Sequence, residues 1–307
     1  MKWTAAQLPN LSGRTAVVTG ANSGIGWHTA RELAGHDARV VLACRDIERG
    51  KQAADRIRSA VPSADVEVAE LDLAAIASVR AFAAGWNEPL DLLVNNAGVM
   101  APPKFTKTQD GFELQFGTNH LGHYVLTGLL LPALLASPAP RVVTVASVAH
   151  VGGSDDVLDA NVATPYVPQR AYSNSKLANL LFALELQRQA QSRGLPLVSA
   201  AAHPGLAATG LFSSRQGMGS GHLVRLAAPV LLRALTQPAT VGARPSLYAA
   251  TEAAPGSYTG PTRFGETRGE IGPARRSRYA QDERLAHRLW RASEDLTGFI
   301  YPWPAAS

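Results

Sequence analysis

Tyr172-Ser-Asn-Ser-Lys176 places a phenol and an ammonium four residues apart. On a helix that spacing sets both side chains on one face. A phenol ordinarily titrates near pKa ~10, and an adjacent ammonium favours phenolate and brings proton exchange closer to neutral pH. The pair can serve as a general acid/base toward a reacting oxygen. Taken alone, the spacing also fits a solvated helix face. Ser147 closes an apolar run at 141–147, where its hydroxyl is placed to hold a substrate oxygen beside Tyr172 or to cap a turn.

A second constellation begins the chain's first fold unit. The apolar run 15–19 leads straight into Gly20, Asn22, Ser23, Gly24, Ile25 and Gly26 and then into a helical pattern. Gly20 permits a tight turn, Gly24 lets the backbone approach a phosphate, and Gly26 allows a helix to pack closely on a strand. The helix start adds unpaired N–H groups and the positive end of its dipole, which suits a pyrophosphate. Ordinary strand-to-helix turns use glycine as well.

Arg45 ends the second apolar run. An acidic residue there would accept from a ribose 2′-hydroxyl, whereas a guanidinium suits a 2′-phosphate. Cys44 stands at the acid position and Arg45 follows it, so NADP is the expected cofactor; a solvated arginine at a strand end is the plainer alternative. Asp72, beside Leu73, is placed to meet the adenine amino group, to cap the next helix, or both. Asn95-Asn96-Ala97-Gly98 ends the fourth run: its small residues let the backbone pass a ribose, and its asparagines tie neighbouring strands together.

These residues need strands that end at one edge. Apolar β-rich runs at 15–19, 38–43, 66–69, 90–94, 141–147 and 197–203 alternate with helical patterns at 49–60, 76–84, 120–135 and 172–192. This alternation predicts an α/β fold with a doubly wound parallel sheet, helices on both faces and ligands at the carboxyl edge. One Rossmann-type domain over 1–307 is expected. The region 205–242 departs from the rhythm, and its apolar stretch 223–235 reads as a helical substrate lid or as a packed surface helix.

Composition narrows the function. Eight scattered histidines and one cysteine, Cys44, offer no metal-ligand spacing and no intrachain disulfide. The formal charge of +5 is spread along the chain apart from Arg275, Arg276 and Arg278, which fits an anionic cofactor better than a nucleic acid. Residues 1–14 lack the apolar core of a signal peptide or anchor. A soluble cytoplasmic protein without stable membrane insertion is expected, with a small-molecule substrate and scope for a homo-oligomer.

In their order along the chain, the glycine run, Asn95-Asn96-Ala97-Gly98, Asn119, Ser147, Tyr172 with Lys176, and Pro204-Gly205 with Thr209 resemble the short-chain dehydrogenases/reductases. The resemblance implies that Tyr172 donates or accepts the proton and that Ser147 binds the substrate oxygen. It further implies that Lys176 holds the nicotinamide ribose and lowers the tyrosine pKa, that Asn119 holds a relay water, and that Pro204 to Thr209 seats the carboxamide. Thr118-Asn-His-Leu-Gly-His123 and Ser175-Lys-Leu-Ala-Asn179 are similar to the retinol dehydrogenase and WW-domain-containing oxidoreductase branch. The stretch between Ser147 and Tyr172, with Asp155, Asp156 and Asp159, is longer than in the most compact members, and no animal-type membrane anchor is visible. The implied activity is NADP(H)-dependent alcohol–carbonyl interconversion on a fairly hydrophobic molecule. An idle NADP-binding scaffold and a substrate-specialised tailoring reductase are the alternatives. His120, His123, His150 and His203 are expected to pack or lie at edges, with His150 near enough to Ser147 to line the pocket.

Overall fold

Successive residues of a strand point to opposite faces of its sheet, and here both faces of the central strands are apolar. The computed structural model describes residues 3–161, 165–206 and 237–304. Among them, β1 (Thr15–Thr19), β2 (Arg39–Cys44), β3 (Val66–Glu70), β4 (Leu92–Asn95), β5 (Arg141–Val145), β6 (Val198–Ala202), β7 (Tyr258–Arg263) and β8 (Arg268–Pro273) make one sheet in the order β3-β2-β1-β4-β5-β6-β7-β8. The neighbours from β3 to β7 pair in parallel; β8 returns antiparallel to β7.

On one face, Val18, Leu42, Val94 and Val143 pack with Leu33 of α1 (Gly24–Ala34) and Ile57 of α2 (Ile47–Ala60). On the other, Val17, Val41, Leu93 and Val142 meet Val79 of α3 (Ile76–Ala84) and the residues of three further helices described below. A sheet buried on both faces explains why these strands read as continuous apolar runs. The strand order reverses between β1 and β4, which opens the crevice where a doubly wound sheet binds its ligand.

The helical stretch expected at 120–135 is divided. A short α4 (Leu114–Phe116) runs into a wide π-type turn at Gly117–Leu121, followed by α5 (Gly122–Leu129) and α6 (Leu131–Leu135). Pro132 lies in the first turn of α6, where its missing N–H is harmless. By contrast α7 (Pro168–Ser192) is longer than 172–192, because Pro168 starts it one turn before Tyr172. Two short helices, α8 (Ala239–Gly242) and α9 (Arg244–Thr251), precede β7.

The carboxyl-terminal part holds elements beyond the runs expected from sequence: the β7–β8 hairpin and α10 (Glu283–Thr297). Asp282 caps α10 by accepting from the Leu285 N–H at 3.0 Å, and Gly298 ends it in the left-handed region. Trp290 of α10 packs against Tyr124 of α5 and Phe182 of α7, closing the second face of the sheet. The expected lid stretch 223–235, and Thr209 with it, lies outside the described residues.

Candidate active site

Gly20 follows β1 with φ +65°, and a Cβ there would sit 3.0 Å from Ala97 Cα. A Cβ on Gly26 would come within 2.4 Å of Asn96 Nδ2 and 2.6 Å of the Gly20 carbonyl, so only glycine lets α1 start against the turn. Gly24 also has positive φ, at +56°. Ser23 begins α1 without capping it through its side chain, which leaves the first-turn amides of Gly24, Ile25 and Gly26 as the donors that a helix start offers an anion. This bare, small-residue cradle fits a pyrophosphate.

Arg45 is exposed just beyond β2, on the same side as the loop. Two further cations lie beside the glycine loop. Arg49 and Arg56 of α2, with Asn22, Ser23, Gln52 and Asp55, line an open cavity of about 540 Å³, and Arg56 donates to the Asn22 carbonyl at 3.2 Å. Their seven-residue separation, two turns of helix, was the available signal. Asp72 is engaged in the turn before α3: its carboxylate accepts from the Ala74 N–H at 3.0 Å. This is a turn bond ahead of the helix and not the helix cap that the sequence left open: Ala75 stands at the N-cap, and no side chain caps it. Leu73 is buried, and its carbonyl occupies the space that a Cβ on Gly122 would need.

At the end of β4 the asparagines bind strands together. Asn95 donates to Thr127 Oγ1, and Asn96 donates through its side chain to the Thr19 carbonyl. Thr19 Oγ1 accepts from the amides of Asn96 and Ala97, each at 2.9 Å. With both lone pairs used, its proton is directed to His123 Nε2 at 2.9 Å, nearer than the Val94 carbonyl at 3.3 Å. His123 Nδ1–H then donates to the Asn119 carbonyl at 3.0 Å. Gly98 keeps the floor low: a Cβ would lie 3.0 Å from Asn119 Oδ1 and 3.5 Å from Lys176 Nζ.

Asn119 sits in the π-type turn, and its side chain is well anchored. It accepts from the Val99 N–H at 2.7 Å and donates to the Val99 carbonyl and Ser175 Oγ, each at 2.9 Å.

The structure brings Ser147, Tyr172 and Lys176 together where β5 ends. Lys176 Nζ and Asn179 Nδ2 both donate to the Val145 carbonyl at 3.1 Å, fixing α7 to the strand two residues before Ser147. The Ser147 hydroxyl accepts from the Ala149 N–H at 3.2 Å and lies near the Tyr172 phenol. Burial holds that phenol above the usual tyrosine range, and the nearby Ser147 hydroxyl offsets only part of the rise. Burial also draws Lys176 down to about 8. Desolvation therefore outweighs the expected pull of the ammonium on Tyr172, and the chain alone keeps the phenol protonated at neutral pH.

Beside Tyr172 lies an apolar wall of Met100, Ala101 and Ala149. Ala101 has φ +47°, a left-handed conformation unusual for a residue with a Cβ. Gln115, fully buried in the helix before the π-type turn, accepts from the Ala101 N–H at 2.7 Å and donates to Tyr166 Oη and the Pro168 carbonyl. Sequence gave no sign of this wall, because it is made by an irregular segment.

His150 and His203 are packed as expected, and they also hold backbone. The Ser277 N–H donates to His150 Nε2 at 3.2 Å, so the ring carries its proton on Nδ1 and donates to the Ser147 carbonyl at 2.8 Å. Gly205 N–H donates to His203 Nδ1 at 3.2 Å. Burial lowers the pKa of both rings, His203 to about 3, and takes His123 to about 4. Pro204 and Gly205 follow β6 at the same edge as Ser147; Gly205 has φ +65°, with the Thr267 carbonyl where its Cβ would be.

Residues 14–218 match the family model described as short chain dehydrogenase. The chain is 41% identical to human retinol dehydrogenase 13 over 95% of this chain and 87% of that protein. Among solved structures it is similar to an uncharacterized protein from Mycobacterium Paratuberculosis, with 44% identity, a TM-score of 0.81, and coverage of 99% of this chain and 100% of that one. It is also similar to a protein from Beutenbergia cavernae described as an NAD(P) dependent gluconate 5-dehydrogenase with bound NADP. There the identity is 26% and the TM-score 0.62, over 81% of this chain and 95% of that one.

Proposed function

The chain belongs to the short chain dehydrogenase family, and from that premise we propose that it is an NADP(H)-dependent oxidoreductase interconverting an alcohol and a carbonyl on a fairly hydrophobic small molecule. The observation that carries the reading is the meeting of Ser147, Tyr172 and Lys176 at the end of β5, facing the glycine cradle across the switch point. The first-turn amides of α1 and the Gly20–Gly26 turn fit the pyrophosphate. Arg45 beyond β2 supports the 2′-phosphate over a 2′-hydroxyl, as do Arg49 and Arg56 beside Asn22 and Ser23.

The dinucleotide, when bound, supplies or accepts the hydride. Ser147 donates to the substrate oxygen and holds it beside Tyr172. Tyr172 gives its proton to that oxygen as negative charge develops, and takes it back in the oxidative direction. Lys176 holds the nicotinamide ribose, and its ammonium steadies the phenolate. Asn119 is the residue assigned to hold the relay water for proton exchange with solvent. The wall of Met100, Ala101 and Ala149 supports an apolar substrate, as does the likeness to a protein named for retinol. Among the described residues no helix is long and apolar enough to cross a membrane; the cytoplasmic location proposed here is compatible with a sequence that carries a single cysteine.

A panel of apolar aldehydes and ketones, followed by NADPH absorbance, tests the function. Turnover with NADPH that is lost in Tyr172→Phe is the expected result. Turnover that survives the substitution would remove the tyrosine from the mechanism.

A further inference from the structure

His203 Nε2 is buried, and among the described residues it has no hydrogen-bond partner. Its tautomer is fixed by the other ring nitrogen. Because the Gly205 N–H donates to Nδ1, that nitrogen is bare and the proton sits on Nε2. The atom faces Glu266 Oε2 at 3.6 Å, slightly beyond bonding distance. The site is made to receive the ring: a Cβ on Gly260 would lie 1.8 Å from Nε2, so β7 can pass His203 only with glycine there. Tyr258 packs against the rings of both His203 and His150 at 5.2 and 5.5 Å.

Glu266 occupies the tip between β7 and β8, where Phe264, Gly265 and Glu266 all have positive φ, at 53°, 64° and 64°. Two non-glycine residues held there are strained, and such strain persists only where surrounding contacts enforce it. The contacts are visible. Glu266 Oε1 accepts from the Arg275 N–H at 2.8 Å, and the neighbouring Thr267 carbonyl accepts from the Leu206 N–H at 3.0 Å. The tip is thereby clasped to the segment Pro204-Gly205-Leu206, which Gln237 holds from the other side by donating to the carbonyls of Pro204 and Leu206.

We propose that Glu266 is a positioning residue: acting through His203, its carboxylate sets the backbone of Pro204 and Gly205, and so the seat of the cofactor's carboxamide. This rests on the reading above, in which that segment receives the nicotinamide end. The carboxylate acts on the ring by charge across the 3.6 Å gap, with Nε2–H pointed toward it.

Glu266→Gln in the full chain isolates the contact. An amide that keeps its oxygen on the Arg275 N–H turns its NH2 toward Nε2–H, donor against donor, while the hairpin tip retains its backbone bond. Calorimetric titration uses two probes, NADPH and 2′-phospho-ADP-ribose, which has the adenosine half but no nicotinamide. The expected result is that Glu266→Gln weakens NADPH by about tenfold and leaves 2′-phospho-ADP-ribose within about twofold. His203→Phe, which keeps a ring over Gly260, should reproduce the pattern. Equal weakening of both probes, or no change in either, overturns the proposal. If the unmodified protein already binds the two probes alike, the carboxamide seat itself is misassigned and the proposal falls with it. If it discriminates and both variants still do, Glu266 alone is at fault.

Discussion

His150 carries Ser147: its Nδ1–H donates to the serine's carbonyl at 2.8 Å while its other nitrogen accepts from the backbone at Ser277. The hydroxyl proposed to hold the substrate oxygen is thus oriented from below by a neutral ring. His150→Phe keeps the packing but drops both bonds, so kcat should fall by about 10- to 100-fold, the penalty of a slightly misplaced group. The KM for NADPH should move little. Steady-state kinetics with the two substrates varied separately checks this; a change confined to the cofactor KM would be the wrong pattern.

Tyr172→Phe should reduce turnover by about 10²- to 10⁴-fold, the usual range for a lost general acid, with NADPH affinity nearly intact. Lys176→Met should lower both, because the same ammonium is assigned to the ribose. Since burial brings Lys176 to about 8, kcat/KM for carbonyl reduction should decline as pH rises through that value, although Tyr172 is still protonated there. A limb near pH ~10 instead would mean that the phenol, not the ammonium, is the titrating group.

Arg45→Asp should abolish the preference for NADPH over NADH, by about 10- to 100-fold in relative affinity, as expected for losing a charge-assisted bond to phosphate. Arg49→Ala and Arg56→Ala should each have a smaller effect in the same direction. Fluorescence titration with both dinucleotides measures it, and equal affinities in the unmodified protein would refute the 2′-phosphate assignment.

Burial also sets an acid limit on stability. His120 and His203 are held to about 3 and His123 to about 4, below the ~6.5 of an unfolded chain. As the pH drops below ~6.5 the unfolded chain takes up protons first, so stability present above that value is lost toward pH ~4, by up to about 1.4 kcal/mol per pH unit for each ring. The carboxylates held below their usual range, Asp91, Asp156 and Glu185, act at lower pH, and buried Glu113, pushed up, works in the opposite direction. Urea denaturation at pH 7.5, 6 and 5 should show the fall, and His123→Asn should make it shallower.

The central sheet was legible because each of its buried strands is a run of β-formers bounded by turn residues. The site was legible because its side chains sit where those strands stop. β7 was not: Tyr258-Thr-Gly-Pro-Thr-Arg263 has no apolar periodicity, and its Gly260 answers to the His203 ring rather than to strand propensity. The π-type turn around Asn119 was equally hidden, since it adds one residue to a turn without changing the residue types. The helix at Glu283–Thr297 did carry a signal, an Asp at its start and a Gly just past its end, with Leu285, Ala286, Leu289 and Trp290 on one stripe.

Lys176 and Asn179 grip the same carbonyl, and that carbonyl belongs to the strand leading into Ser147. Strand and helix are therefore joined where the proton-handling groups sit, which limits their freedom relative to each other. The wall at Met100 and Ala101 is tied to the same helix, because Gln115 bonds both the Ala101 N–H and the Pro168 carbonyl. Substrate choice and proton chemistry are thus mechanically coupled. Substitutions that reshape the wall should also disturb the acid–base pair, so a change of substrate range calls for compensating changes near Gln115.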